Sequence, residues 1–206
     1  MAAGVSEAEH FTLWESPSTF VGLKGVVYAG PGLEVESFCL LGSEHGALEI
    51  GRNALIRSHS VIEGDVKIGE GFECGHHVLI RRGVTIGRNV KIGSYTSLEG
   101  NVHVASGAQI GGRVQMGSYV EGGAILHVGN DARIYLGARF LDRRQPPDGK
   151  YEPPSVGARA IIGAGALILP GAIVCNNAMV AAGAIVDRDV SPGHLFKRNG
   201  SQVFRR

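Results

Sequence analysis

Apolar residues recur at every sixth position over most of the chain. Ile50, Ile56, Ile62, Ile68, Cys74, Ile80, Ile86, Ile92, Leu98, Val104, Ile110, Met116, Val128, Ile134 and Phe140 share one grid, and only Gly122 breaks it. A chain that is 44% hydrophobic would fill about 7 of those 16 positions by chance, not 15. A second grid, Ile162, Ile168, Val174, Val180 and Val186, resumes 22 residues after Phe140, a step that is not a multiple of six. Something is therefore inserted between the two blocks.

Neither a helical period of 3.6 nor strand alternation gives six. A short strand followed by a tight corner does, with one large side chain turned inward per hexad. The residue after the grid position is repeatedly glycine, as at Gly51, Gly69, Gly75, Gly87, Gly93, Gly111, Gly117 and Gly129. The position four after it is small or branched, as at Ala54, Ser60, Val66, Val78, Val84, Val90 and Ala108. The pattern predicts an all-β solenoid of strands and corners, and it accounts for a glycine count of 32 in 206 residues.

Charge and cysteine content narrow the classes of function. With 20 basic against 19 acidic residues, the chain lacks the cationic excess expected for nucleic acid or an anionic membrane surface, so neither is an expected partner. Glu7, Glu9 and Glu15 interrupt the stretch where a signal peptide would need an unbroken apolar run, and no segment approaches a membrane span. A cytoplasmic location is expected. Cys39, Cys74 and Cys175 are odd in number and widely spaced, which suits reduced, buried thiols better than a disulfide framework or a metal site.

The hexads resemble those of the hexapeptide-repeat proteins, whose chains wind a left-handed parallel β-helix of triangular section. The resemblance divides the chain into a cap segment at 1–24, a β-helix domain at 25–190 with an inserted loop at 141–156, and a C-terminal tail at 191–206. The loop carries four prolines, Pro146, Pro147, Pro153 and Pro154, and cannot continue a coil. The run Ile-Gly-Ala-Gly-Ala-Leu-Ile-Leu-Pro-Gly, from Ile162 to Gly171, resembles the last coils of hexapeptide acyltransferases that use acetyl-CoA, particularly those acetylating nucleotide-linked amino sugars.

That resemblance implies an O- or N-acetyltransferase with acetyl-CoA as co-substrate, no metal, a sugar acceptor and a homotrimeric assembly. With three hexads per coil, residues 18 apart should stack on one corner, and one such column reads Ser58–His59, His76–His77, Ser94–Tyr95, Gly112–Arg113 and Asn130–Asp131. A general base at neutral pH suits histidine, whose unperturbed pKa lies near 6.5, so His76 is the first candidate and His77 the second. His59, Tyr95, Asn101, Arg113, Asn130 and Asp142 are candidates for binding the acceptor. Ala164, Gly165, Ala181, Ala182 and Gly183 match the small residues along which the family lays a pantetheine arm, and Lys197 and Arg198 are candidates for the donor's nucleotide phosphates. The chain departs from the family at Leu141–Asp142, where many relatives have Thr-Asn, and at its Phe196–Gly200 ending. Two other readings share the fold. A non-catalytic scaffold is one. The γ-type carbonic anhydrases are the other, but they need histidines five residues apart, a spacing that His45, His59, His76, His77, His103 and His127 do not supply.

Overall fold

The computed structural model describes residues 12–13, 21–117, 125–141 and 153–204. Among them every regular element is a strand of two or three residues, and the strands fall into three sheets that form the faces of a left-handed β-helix. One coil shows the pattern. Val61–Ile62 lies on one face, Val66–Ile68 on the next and Glu73–Cys74 on the third, after which Leu79–Ile80 returns to the first, paired in parallel one coil further on. We call these the second, first and third faces.

The grid residues are the inward ones. Ile50, Ile56, Ile62, Cys74, Ile80, Leu98 and Met116 are all 0% exposed, and Ala54, Val66, Val78, Val84 and Val90 fill the corners between them. Stacking identical inward positions makes one continuous apolar column, each isoleucine of which contributes about 1.5–3 kcal/mol of burial. At each end one sheet is extended by antiparallel pairing: Thr12–Leu13 pairs with Tyr28–Ala29 on the first face and Gln202–Phe204 with His194–Phe196 on the third, which covers one sheet edge at each end.

Strand register locates the insertions. Ala29 pairs with Ile50, 21 residues on; Val104 with Val128, 24 on; Ile134 with Ile162, 28 on; the uninterrupted coils repeat at 18. The three, six and ten extra residues all enter between a second-face strand and the following first-face strand. One edge of the prism thus carries every departure from the repeat.

This register corrects the expected corner column. A six-residue insertion between Met116 and Leu126 preserves the six-residue phase, so the apolar grid resumes in step beyond Gly122, while shifting the stacking partner. The Gly137 amide, not that of Asp131, donates to Gly112 O, and Asp131 donates instead to Ser106 O on a different edge. Gly122, Asp142 and most of the Pro-rich loop lie outside the described residues.

Cys39 and Cys74 are buried free thiols and Cys175 is half-buried. Burial pushes the Cys74 thiol up to about 11, and burial likewise raises Cys39 and Cys175. None of the three has the lowered pKa of a reactive thiol.

Candidate functional site

The edge between the third and second faces differs chemically from the other two. Its outermost corner residue has left-handed backbone geometry in every repeat: Phe38, His59, His77, Tyr95 and Arg113 at φ 54–63°, then Gly137, Gly165 and Gly183 at φ 65–70°. On the other edges this geometry falls mainly to Gly, Asn and Asp, which accept it at little cost. Placing rings there is unfavourable by roughly 1 kcal/mol per residue, so something must offset it.

Ring stacking does so. The Phe38 and His59 rings lie 5.1 Å apart, His59 and His77 4.8 Å, and His77 and Tyr95 4.8 Å with planes only 8° from parallel. The spacing is that of neighbouring strands, so the fold itself builds the ladder. Two buried hydroxyls pin the same edge. Ser60 Oγ donates to Gly75 O and accepts from the Val78 amide, while Thr96 Oγ1 donates to Gly111 O and accepts from the Val114 amide.

His76 stands beside this ladder but in a different environment. Its Nδ1 is 2.8 Å from Ser58 Oγ and 3.6 Å from Glu36 Oε2, and its amide donates to Ser94 Oγ at 3.0 Å. Glu36 is itself fixed, accepting from the Ser58 amide at 3.0 Å and from Arg57 at 3.4 Å. With a proton on Nδ1, the ring donates to Ser58 and faces the Glu36 carboxylate, leaving the Nε2 lone pair without a protein partner among the described residues. The side chain remains 45% exposed. His77 has ring neighbours but no polar side-chain partner among the described residues, so nothing fixes its tautomer or aims a lone pair.

A charged row runs up the third face next to this edge. Glu73, Lys91, Gln109 and Arg133 are paired coil to coil and turn outward. Lys91 donates to Glu73 at 2.9 Å and Arg57 approaches its other oxygen at 3.4 Å; the Lys91 hydrogen bond is the main reason the Glu73 carboxyl is held below the usual carboxylate range. The row lines an open groove of about 530 Å³ that begins at Arg57 and Gly75 and ends at Arg133 and Tyr135.

Of the residues singled out in the sequence, His59, His76, His77, Tyr95 and Arg113 share one edge with Ala164, Gly165, Ala181, Ala182, Gly183, Lys197 and Arg198. Asn101 lies on the edge that carries the insertions, and Asn130 on the remaining edge, where its carbonyl accepts from the Arg159 amide. Asp142 lies outside the described residues. Sequence reasoning missed Glu36 as the partner of His76. The three extra residues after Leu41 move it off an 18-residue column, and the only available signal was the carboxylate in the repeat before Ser58. Among the described residues, no group of three or more His, Cys, Asp or Glu is placed to hold a metal ion, and no helix is long and apolar enough to cross a membrane.

No protein-family model matches the chain, and no curated protein matches it by sequence. Among solved structures it is similar to a UDP-N-acetylglucosamine acyltransferase from Campylobacter jejuni, with 16% identity and a TM-score of 0.72 over 86% of this chain and 69% of that one. It is also similar to an Arabidopsis UDP-N-acetylglucosamine acyltransferase, with 11% identity and a TM-score of 0.50 over 87% and 70%. The neighbours are hexapeptide-repeat left-handed β-helix acyltransferases. At such identities the likeness is one of fold.

Proposed function

We propose that the protein is an acyltransferase that moves an acetyl group from acetyl-CoA to an amino or hydroxyl group of a nucleotide-linked sugar, with His76 as general base. The observation that carries this reading is the His76 imidazole held through Nδ1 by Ser58 and Glu36, one residue beyond the groove-lining Gly75, with no protein partner for Nε2 among the described residues. In the reaction Nε2 takes the acceptor's proton as the nitrogen or oxygen attacks the thioester carbonyl. The carbon–sulfur bond then breaks, and the departing thiolate recovers the proton from the imidazolium, whose charge the Glu36 carboxylate stabilises. We take His59, Tyr95 and Arg113, which share the edge with His76, to meet the acceptor beside the base. The bare edge at Ala164, Gly165 and Ala181–Gly183 continues toward the donor's nucleotide end, where an added Cβ on Gly165 would meet nothing within 4 Å.

Incubation with acetyl-CoA and a panel of nucleotide-linked amino and hydroxy sugars tests the reading. One acceptor should gain the mass of one acetyl group with release of one thiol; no gain on any acceptor, with no CoA binding, would make the chain a scaffold.

The groove is open on one side and needs a second wall to exclude water from the thioester. We take a homotrimer to supply it, each site combining one chain's His76 edge with another chain's coils or loop. Light scattering should give a mass about three times that of the chain. A monomer with full activity would contradict the shared site.

A further inference from the structure

The length of the groove sets a limit on where a donor's first phosphate can be met. We infer that Arg133 is the phosphate anchor of a phosphopantetheine donor whose thioester lies at His76; this rests on the acyltransferase reading above.

The limit follows from counting coils. From the strand ending at Cys74 to the strand ending at Phe196 the register runs through Ile92, Ile110, Ile134, Ile162 and Val180, which is six coil steps or about 29 Å. A pantetheine arm has thirteen bonds between its sulfur and its phosphorus and spans about 16 Å when extended. A donor whose first phosphate sits on Lys197 or Arg198 therefore stops well short of His76. From Glu73 to Arg133 the row takes three steps, about 14 Å, which an extended arm fits.

Charge singles out the same residue. Both Glu73 oxygens are engaged, by Lys91 and Arg57, and Glu36 is engaged by Arg57 and by the Ser58 amide. These pairs leave little net charge along the lower groove. Arg133, exposed at the upper end, has no ion-pair or hydrogen-bond partner for its guanidinium among the described residues, and its five donors suit a phosphate. Between the two ends, Gln109 and Ser94 line the groove and offer side-chain hydrogen bonds to the two amides of the arm. Lys197 and Arg198 are left for the far end of the nucleotide.

Pantetheine, 4′-phosphopantetheine and CoA serve as probes, each titrated calorimetrically against the intact protein. Wild type should bind 4′-phosphopantetheine about 10- to 100-fold more tightly than pantetheine. Arg133→Gln should erase that difference, Arg133→Lys should keep part of it, and the double variant Lys197→Gln, Arg198→Gln should keep all of it. Because Arg133 is exposed and its guanidinium makes no hydrogen bond or ion pair among the described residues, the melting temperature of Arg133→Gln should equal that of wild type. Binding of CoA with the phosphate preference intact in Arg133→Gln, or lost in the tail variant, would overturn the assignment alone. Failure of wild type to bind CoA would overturn the acyltransferase reading with it.

Discussion

Replacing His76 by Gln is expected to lower kcat about 10²- to 10⁴-fold with little change in KM for the donor. The imidazole acts as the acceptor's proton leaves, so its contribution lies in the transition state, while donor contacts lie further up the groove. Glutamine retains the shape and a hydrogen bond to Ser58 but cannot take a proton. Glu36→Gln should cost about tenfold in kcat, because the ring loses the charge that stabilises its protonated form. His77→Gln should cost less, since His77 stacks between His59 and Tyr95 at 4.8 Å from each and no side chain among the described residues orients its nitrogens. A normal kcat for His76→Gln together with inactivity of His77→Gln would move the base to the ladder.

The second large effect concerns stability. A Cβ added at Gly87 would lie 2.6 Å from the Ser106 nitrogen and 3.0 Å from the Ala105 carbonyl carbon, atoms of the next coil's backbone that cannot rotate away. Gly87→Ala should therefore destabilise by about 3 kcal/mol and lower the melting temperature by about 6–12 °C. Gly165 provides the contrast. Its φ of +65° disfavours a side chain, but nothing lies within 4 Å, so Gly165→Ala should cost only about 1 kcal/mol. Thermal melts of the two variants should separate clearly; equal, small shifts would mean that the coils are not packed at the described spacing.

The contrast between those glycines shows what a linear pattern conveys. The apolar grid reports which residues face inward, because burial constrains one position in every hexad: Ile50 through Phe140 and Ile162 through Val186 make the core. It does not report how many hexads make a coil. The insertion after Met116 is itself six residues long, so the grid resumes in phase beyond Gly122 while the corner column changes from Asn130–Asp131 to Leu136–Gly137.

The site was legible to the same degree. His59, His77 and Tyr95 are 18 residues apart in uninterrupted coils, and they stack as their spacing predicts. Glu36 and Phe38 lie one coil beyond a three-residue excursion, where the arithmetic no longer holds, and their part in the His76 edge emerges only from the register. The row from Glu73 to Arg133 was hidden for a related reason. Outward side chains carry no periodic hydrophobic signal, and which of their charges remains unmatched depends on contacts across coils.

The most direct measurement of the central claim is the pH dependence of kcat/KM for acetyl transfer by wild type and His76→Gln. The base must be unprotonated to act, so wild-type activity should rise with pH along a limb that reports loss of the base's proton, and that limb should be absent from the residual activity of the variant. The same limb in both proteins would show that the proton leaves by a route that does not involve His76.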